Sequence, residues 1–457
     1  MVIESFTEFE EFLALHIYDK LLVIPVLCDD TQHELNNALS FLFIKIIGKE
    51  DTYILPFDHN DCINLPIDFL RAFTDAKIYT FGKKSLLNIY DGIGFNNIID
   101  VKLLYYMKNN AEPPTLQEHQ TASHVHIKRL NQNVKNIHKV IPILKWQEEL
   151  LPMAKQIELI ISENEDALQE PAFQHVNEDK VWCLHNIEKT GVCVNPDAFS
   201  KWFPNSKKYI AGNMIHTQYN IYTTTGRPSN RFSNVNYAAL NRTTGERESF
   251  VSRFGDQGVL FMFDFDAYHV RLIGEMVGFD IPANELGHEY LGKQYFAKDA
   301  ITNDELKKSK ELTFQMLYGG IHKDVANEIP YFSRVQQFID HMYHDYRVNG
   351  YAETFLFKQK LYKKNFASMN PNKLFNFILQ NFETERNIVV MKKVQKFLNN
   401  YQTKLVLYLY DAMLFDTFAG DGKQIIYDIK NLLEENGKYP VKSYMGPDFH
   451  NMERLAI

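Results

Sequence analysis

Cysteine is scarce in this 457-residue chain: Cys28, Cys62, Cys183 and Cys193 are the four present, with no CxxC pair and no zinc-like spacing. That excludes a disulfide scaffold and a cysteine zinc module, and reads as reduced thiols inside a cell. Long apolar runs are missing too, so no segment is expected to span a bilayer. The opening residues, Met1 to Glu11, are acidic where a secretory leader would be basic. The expectation is a soluble, cytoplasmic, unsecreted protein. A basic surplus is also lacking: Lys and Arg number 49 against 57 Asp and Glu, for a net charge of −8. Nucleic-acid binding is therefore not advertised, yet it is not excluded. Attraction to phosphate follows the local field, and cations gathered along one groove suffice. What the chain does have is apolar content, 45% hydrophobic and 14% aromatic, enough for two domain-sized cores.

The most informative stretch runs from Gly258 to Arg271, an apolar strand-like run broken at Asp264 and Asp266. Charge at the rim of a packed sheet calls for a compensating cation or dense hydrogen bonding. A second apolar run, Leu405 to Tyr410, likewise ends in an acid, Asp411. If the two strands lie side by side, Asp264 and Asp411 converge into an oxygen-only site of the kind Mg²⁺ prefers. Taken singly, each is an ordinary turn residue. Between them, Leu306 to Gly320 reads as a helix entered through a capping box, Thr302 to Glu305, and stopped by Gly319 and Gly320. Lys310, Phe314 and Tyr318, spaced by four, form one stripe about 12 Å long at ~1.5 Å per residue. A cation, a ring and a phenol in that order suit a triphosphate, a sugar and a base; a core helix with a basic first turn is the plainer reading.

Together these motifs resemble the family A DNA polymerases, the family of bacterial DNA polymerase I and many phage replicases. The first palm motif is similar to Asp264–Arg271, the fingers-helix motif to Lys310-x-x-x-Phe314-x-x-x-Tyr318-Gly319, and the last palm motif to Tyr410-Asp411-Ala412. The resemblance covers about 180 to the end and implies a phage-type DNA polymerase that joins dNTPs to a primer 3′ end. It assigns Asp264, Asp411 and Lys310 to catalysis. Asp264, Asp411 and the carbonyl of Phe265 would hold two Mg²⁺ ions, with Mn²⁺ as the alternative. Lys307, Lys310, Phe314, Tyr318, His269 and Arg227 are assigned to the dNTP. Arg227, Asn234, Asn236, Arg271, Asn376 and Gln380 are assigned to DNA. His269 stands where the family has a glutamate that obstructs the ribose 2′-hydroxyl, Ala412 replaces an acid, and Leu306 replaces an arginine. Asp266 stands where serine is usual and reads better as a bystander than as a ligand.

Residues 1 to about 105 alternate strand-like and helical runs, an α/β pattern. Their order resembles the family's proofreading domain, an RNase H-like 3′–5′ exonuclease, without its acids: Pro25 to Leu27 and Gly82 to Leu86 hold no carboxylate. Asp29, Asp30, Asp58 and Asp61 read as loop residues, and Lys128, Lys135 and Lys139 as surface residues within reach of DNA. The expected architecture is α/β and α+β. A degenerate exonuclease-like domain (1–165) precedes a polymerase domain (166–457) with palm 181–280 and 365–457 and fingers about 281–364. Only Asn195 to Gly212 is available for the thumb, too short for two long helices, so a full thumb is expected to be lacking. The partners implied are primer-template DNA, dNTPs and other replication or processivity proteins, with no membrane. A replication-associated nucleic-acid-binding protein that keeps this shape without turnover is the alternative.

Overall fold

The computed structural model describes residues 1–29, 31–90, 97–113 and 136–457; Asp30, Lys128 and Lys135 lie outside them. Two compact units divide between His185 and Asn186. In the first, five strands form one sheet in the order β3-β2-β1-β4-β5: β1 Lys20–Leu27, β2 Leu39–Ile46, β3 Thr52–Pro56, β4 Lys77–Thr80 and β5 Ile98–Asp100. β1, β2 and β3 pair antiparallel, while β4 and β5 run parallel to β1. β2 is buried at every residue, which a central strand covered on both faces requires. Its one cation, Lys45, pairs with Glu158 at 3.1 Å. Helix α1 (Phe6–His16) starts at a capping box formed by Ser5 and Glu8, and α2 (Ile143–Asn164) is the unit's longest described helix. At the end of β5, the Asp100 carboxylate accepts from the Lys102 and Leu103 amides and caps the next helix. Lys139 is ion-paired with Asp58.

The second unit is built on an antiparallel five-stranded sheet. Its key strands are β8 (Gly258–Phe265), β9 (Lys404–Tyr408), β10 (Ala412–Phe418), β11 (Val441–Gly446) and β12 (Glu453–Leu455), in the order β9-β10-β8-β11-β12; a separate hairpin is formed by β6 (Tyr219–Asn220) and β7 (Ser229–Phe232). The two-residue period of a strand puts Leu260, Met262 and Asp264 on one face of β8 and Phe261, Phe263 and Phe265 on the other. Leu260 and Met262 join a core with Phe250, Val406, Leu407 and Leu414. Asp264 is thus the residue at which an apolar stripe becomes polar.

The strand partner differs from the one the sequence implied. Leu405–Tyr410 does not lie beside β8; the strand after Asp411, β10, does, with Asp264 opposite Ala412. β9 is one place further out, and Asp411 sits in the β9–β10 turn. The carboxylates still converge, because a tight hairpin returns the chain to β8 one residue past Asp411.

Between β8 and β9 the chain runs through a series of helices that includes α3 (Tyr268–Val277), α4 (Gly287–Phe296), α5 (Asn303–Gly319), α6 (Pro330–Asn349) and α7 (Pro371–Phe397). The expected capping box of α5 is present, Thr302 with Glu305, and Gly320 ends the helix at φ 113°. Between Val194 and Gly212 the described helices are Pro196–Trp202 and the 3₁₀ turn Lys207–Tyr209. Tyr219, fully enclosed, fastens β9: its hydroxyl donates to the Tyr408 carbonyl (3.1 Å) and accepts from the Tyr408 amide (2.9 Å). Tyr219→Phe leaves both backbone groups unpaired beside the Asp411 turn, and is expected to lower stability by about 1–3 kcal/mol, read as a lower melting temperature of the whole chain.

Candidate active site

A cavity of about 400 Å³ opens at the end of β8. Its floor is Asp264, Phe265 and Asp411; α5 contributes Lys310, Phe314 and Tyr318; Arg227, His269, His288, Glu383, Tyr410 and Lys442 complete the wall. Seven segments separated in sequence therefore supply one site.

Two backbone irregularities aim it. Tyr410, before Asp411, holds φ 68°, and Ala267, at the start of α3, holds φ 45°. Non-glycine residues adopt this region at a cost of order 1–3 kcal/mol, which surrounding contacts must offset. At Tyr410 the contact is Asn387, fully buried, whose amide donates to the Tyr410 carbonyl (2.8 Å) and accepts from Tyr268 (2.7 Å). The Phe265 amide donates to the Asp411 carbonyl at 2.9 Å, tying the two acid-bearing segments together.

The electrostatics separate the acids. Burial raises the Asp264 carboxyl to about 6, and the nearby charge of Asp411 adds to it; Lys442 opposes both. Asp411 is raised as well, by burial and then by Glu383. Among the described residues neither makes an ion pair, so the pair concentrates negative charge that nearby cations offset only in part. No group of three or more His, Cys, Asp or Glu residues suited to a metal occurs among the described residues. Two carboxylates and a neighbouring backbone carbonyl nevertheless fit Mg²⁺, which keeps several waters and uses few protein oxygens.

Asp266 behaves in the opposite way. Lys442 Nζ is 2.6 Å from Oδ1, the Gly287 amide donates to Oδ2 at 2.8 Å, and Arg271 is 3.6 Å away. Burial would raise this carboxyl, but Lys442 foremost, then Gly287 and Arg271, hold it below its usual value. Both oxygens are committed, consistent with a bystander. Arg271, expected at DNA, is buried, and its guanidinium donates to the carbonyls of Asp266, Ile281, Pro282 and Glu285. Its work is to close the segment between α3 and α4.

Arg227 lies in the cavity wall on the loop between β6 and β7. Gly226 before it has φ 71°, and a Cβ there would meet Asn381 Oδ1 of α7 at 1.8 Å, so the loop seats on that helix only with glycine. Arg227 Nε then donates to Glu383 Oε2 (2.8 Å), its guanidinium covers the Tyr410 ring (4.6 Å), and Nη2 is 3.1 Å from His269 Nε2. His269 Nδ1 is hydrogen-bonded to the Tyr318 hydroxyl. Burial would raise Glu383, yet His269 and Arg227 outweigh it and keep the carboxylate ionised. On α5 the predicted stripe is realised: Phe314 and Tyr318 stack at 5.8 Å and 14°, and Phe314 is 45% exposed.

Lys307 is exposed on α5, one turn before Lys310; Asn234 is exposed in the β7 turn and Asn236 follows it; Asn376 and Gln380 are half-buried on α7. None of these five lines the cavity. Glu383 and Lys442 were not anticipated. Glu383 lies three residues past Gln380 on the same helix face, a periodicity that was available. Lys442 has only its place on a strand to mark it.

The burial of Asp264 generates a test. Its raised pKa means that the metal-free fold is penalised at neutral pH and relieved as pH falls through about 6 toward 4. Asp264→Asn is expected to stabilise the metal-free protein by roughly 1–3 kcal/mol at pH 8, with the gain shrinking below pH 6, measured by thermal unfolding in chelator.

No family model matches the sequence. Among solved structures the chain is similar to the polymerase domain of Pol1 from M. smegmatis, determined in complex with DNA primer-template and dNTP. The TM-score is 0.69 at 13% identity, over 98% of this chain and 99% of that one. At that identity the likeness is one of fold: this chain has a DNA polymerase-like α/β fold.

Proposed function

We propose that the chain is a template-directed DNA polymerase that adds dNTPs to a primer 3′ end. The observation that carries this is the gathering of Asp264, Asp411, Lys310, Phe314 and Tyr318 in one cavity, within a fold shared with a protein solved on primer-template and dNTP. The reaction is attack of the primer 3′-oxygen on the α-phosphate, with pyrophosphate leaving. Two Mg²⁺ ions, held by Asp264 and Asp411 with the Phe265 carbonyl, would supply charge stabilisation to both oxygens when bound. Lys310 neutralises charge developing on the phosphates and stands to protonate the leaving group. Phe314 packs on the sugar, and Tyr318 forms the platform beneath the base. Arg227 and His269, braced by Glu383, form the wall beside them.

The finer reading is a family A enzyme of phage type with a reduced thumb and no proofreading. A single seven-residue helix between Val194 and Gly212, and a β1 that ends in Pro25, Val26 and Leu27, support it. Low processivity follows from a reduced thumb, since less protein surface grips the duplex.

Primer extension on a short primed template with Mg²⁺ and four dNTPs tests the reading. Template-matched extension is expected from the wild type, none from Asp264→Ala or Asp411→Ala, and a loss of about 10²–10³ in rate from Lys310→Ala. A folded wild type that binds primer-template but never extends it would make the chain a nucleic-acid-binding protein on a polymerase scaffold.

A further inference from the structure

Around Asp266 the charges do not balance. One carboxylate receives two cations, Lys442 at 2.6 Å and Arg271 at 3.6 Å, together with the Gly287 amide. Arg271 is buried and bound to carbonyls on every side described above. Lys442 keeps 24% of its side chain exposed and lines the cavity. If Lys442 turned away, Asp266 would retain an amide and a guanidinium. The ammonium is therefore the surplus charge.

Its surroundings indicate what that charge faces. Lys442 stands opposite Asp264 in the β8–β11 ladder, on the side chain face that points into the cavity. Lys310 on α5 and His288, at the start of α4, line the same cavity. The His288 ring is 9% exposed, packs on Phe314 at 5.6 Å, and its Nδ1 has no hydrogen-bond partner. Burial chiefly, against Asp266 and with the charges of Lys310 and Lys442, lowers its pKa to about 4, so the ring is neutral. In the tautomer with the proton on Nδ1, the ring has a buried donor without an acceptor, in a cavity that also holds two ammonium groups, and an anionic oxygen would satisfy all three.

We propose that Lys442 is a second phosphate-binding cation, which leaves Asp266 to hold a diphosphate group against His288 and Lys310. The diphosphate comes either from the tail of a bound nucleotide or from free pyrophosphate. As a catalytic residue of nucleotide transfer Lys442 rests on the polymerase reading; as an anion site it does not. In the first role it would stabilise the pyrophosphate as the bond to the α-phosphate breaks, and retain it until release. Two cations in one cavity suit a leaving group whose charge grows during the reaction. Asp266, two residues from Asp264, keeps the ammonium from collapsing onto the carboxylates when the cavity is empty.

The experiment is calorimetric titration of inorganic pyrophosphate, and separately of dATP, into the full chain in Mg²⁺ buffer. Lys442→Ala is expected to weaken both about tenfold, the worth of one charge-assisted hydrogen bond. Lys442→Arg should restore most of the affinity. Asp266→Asn, which frees the ammonium, should leave pyrophosphate binding equal or tighter, whereas a lysine that merely supports the fold would make both Asp266→Asn and Lys442→Ala unstable and weak. The proposal is overturned if the wild type does not bind pyrophosphate, if Lys442→Ala binds it as the wild type does while Lys310→Ala does not, or if only dATP binding changes. Pyrophosphate binding that follows Lys442 in a protein unable to extend primers would retain the anion site and discard the polymerase reading.

Discussion

Asp264 and Asp411 are like charges brought together in a partly buried pocket, and the second unit is arranged around the cost of doing so. Left to itself such a pair would relax by moving apart or by taking up a proton, and the raised pKa of each shows the second tendency. The first is prevented covalently and by the sheet. Asp264 is fixed in the β8 ladder, and Asp411 is one residue from Ala412, its partner across that ladder. Neither carboxylate makes an ion pair among the described residues, so the fold stabilises the backbone around them instead of the charges.

That division explains where the strain lies. Of the positive-φ non-glycine residues along the chain, Tyr410 and Ala267 flank the acids, and each is in contact with buried groups. Asn387 clamps the Tyr410 carbonyl from α7. Gly287 sits against Ala267, where a Cβ on the glycine would come within 2.7 Å of the alanine Cβ, and uses its amide on Asp266. The same helix α7 carries Glu383, which locks Arg227, so one 27-residue helix braces the turn, the loop and the wall at once. Much of its middle is buried, polar residues included, because it serves as a brace as much as a core element.

What the sequence revealed follows from which signals are local. The apolar run ending at Asp264 and the stripe of Lys310, Phe314 and Tyr318 are periodic, and a period of two or about 3.6 survives without knowledge of neighbours. The capping box at Thr302 is local in the same sense. The pairing of β8 with β10 rather than β9 was not legible, since alternation tells which face a residue takes and nothing of which strand lies beside it. The surroundings of Arg271 were not legible either. The motif resemblance assigns it to DNA, while its guanidinium donates to the carbonyls of Ile281, Pro282 and Glu285, which come from a loop with no pattern of its own.

The four acids of the cavity region make the general point. Asp264, Asp266, Glu383 and Asp411 share one chemistry, yet two are raised and two are lowered. Burial pushes all of them upward, so burial does not distinguish them. The sign follows whether protein hydrogen-bond donors and cations are in contact: Lys442, Gly287 and Arg271 for Asp266, His269 and Arg227 for Glu383, and no ion pair for the other two among the described residues. A carboxylate already paired by the fold has no charge left for a mobile cation, and an unpaired one has all of it. Asp264 and Asp411 are thus set apart from Asp266 and Glu383 by contacts that no single strand or helix contains.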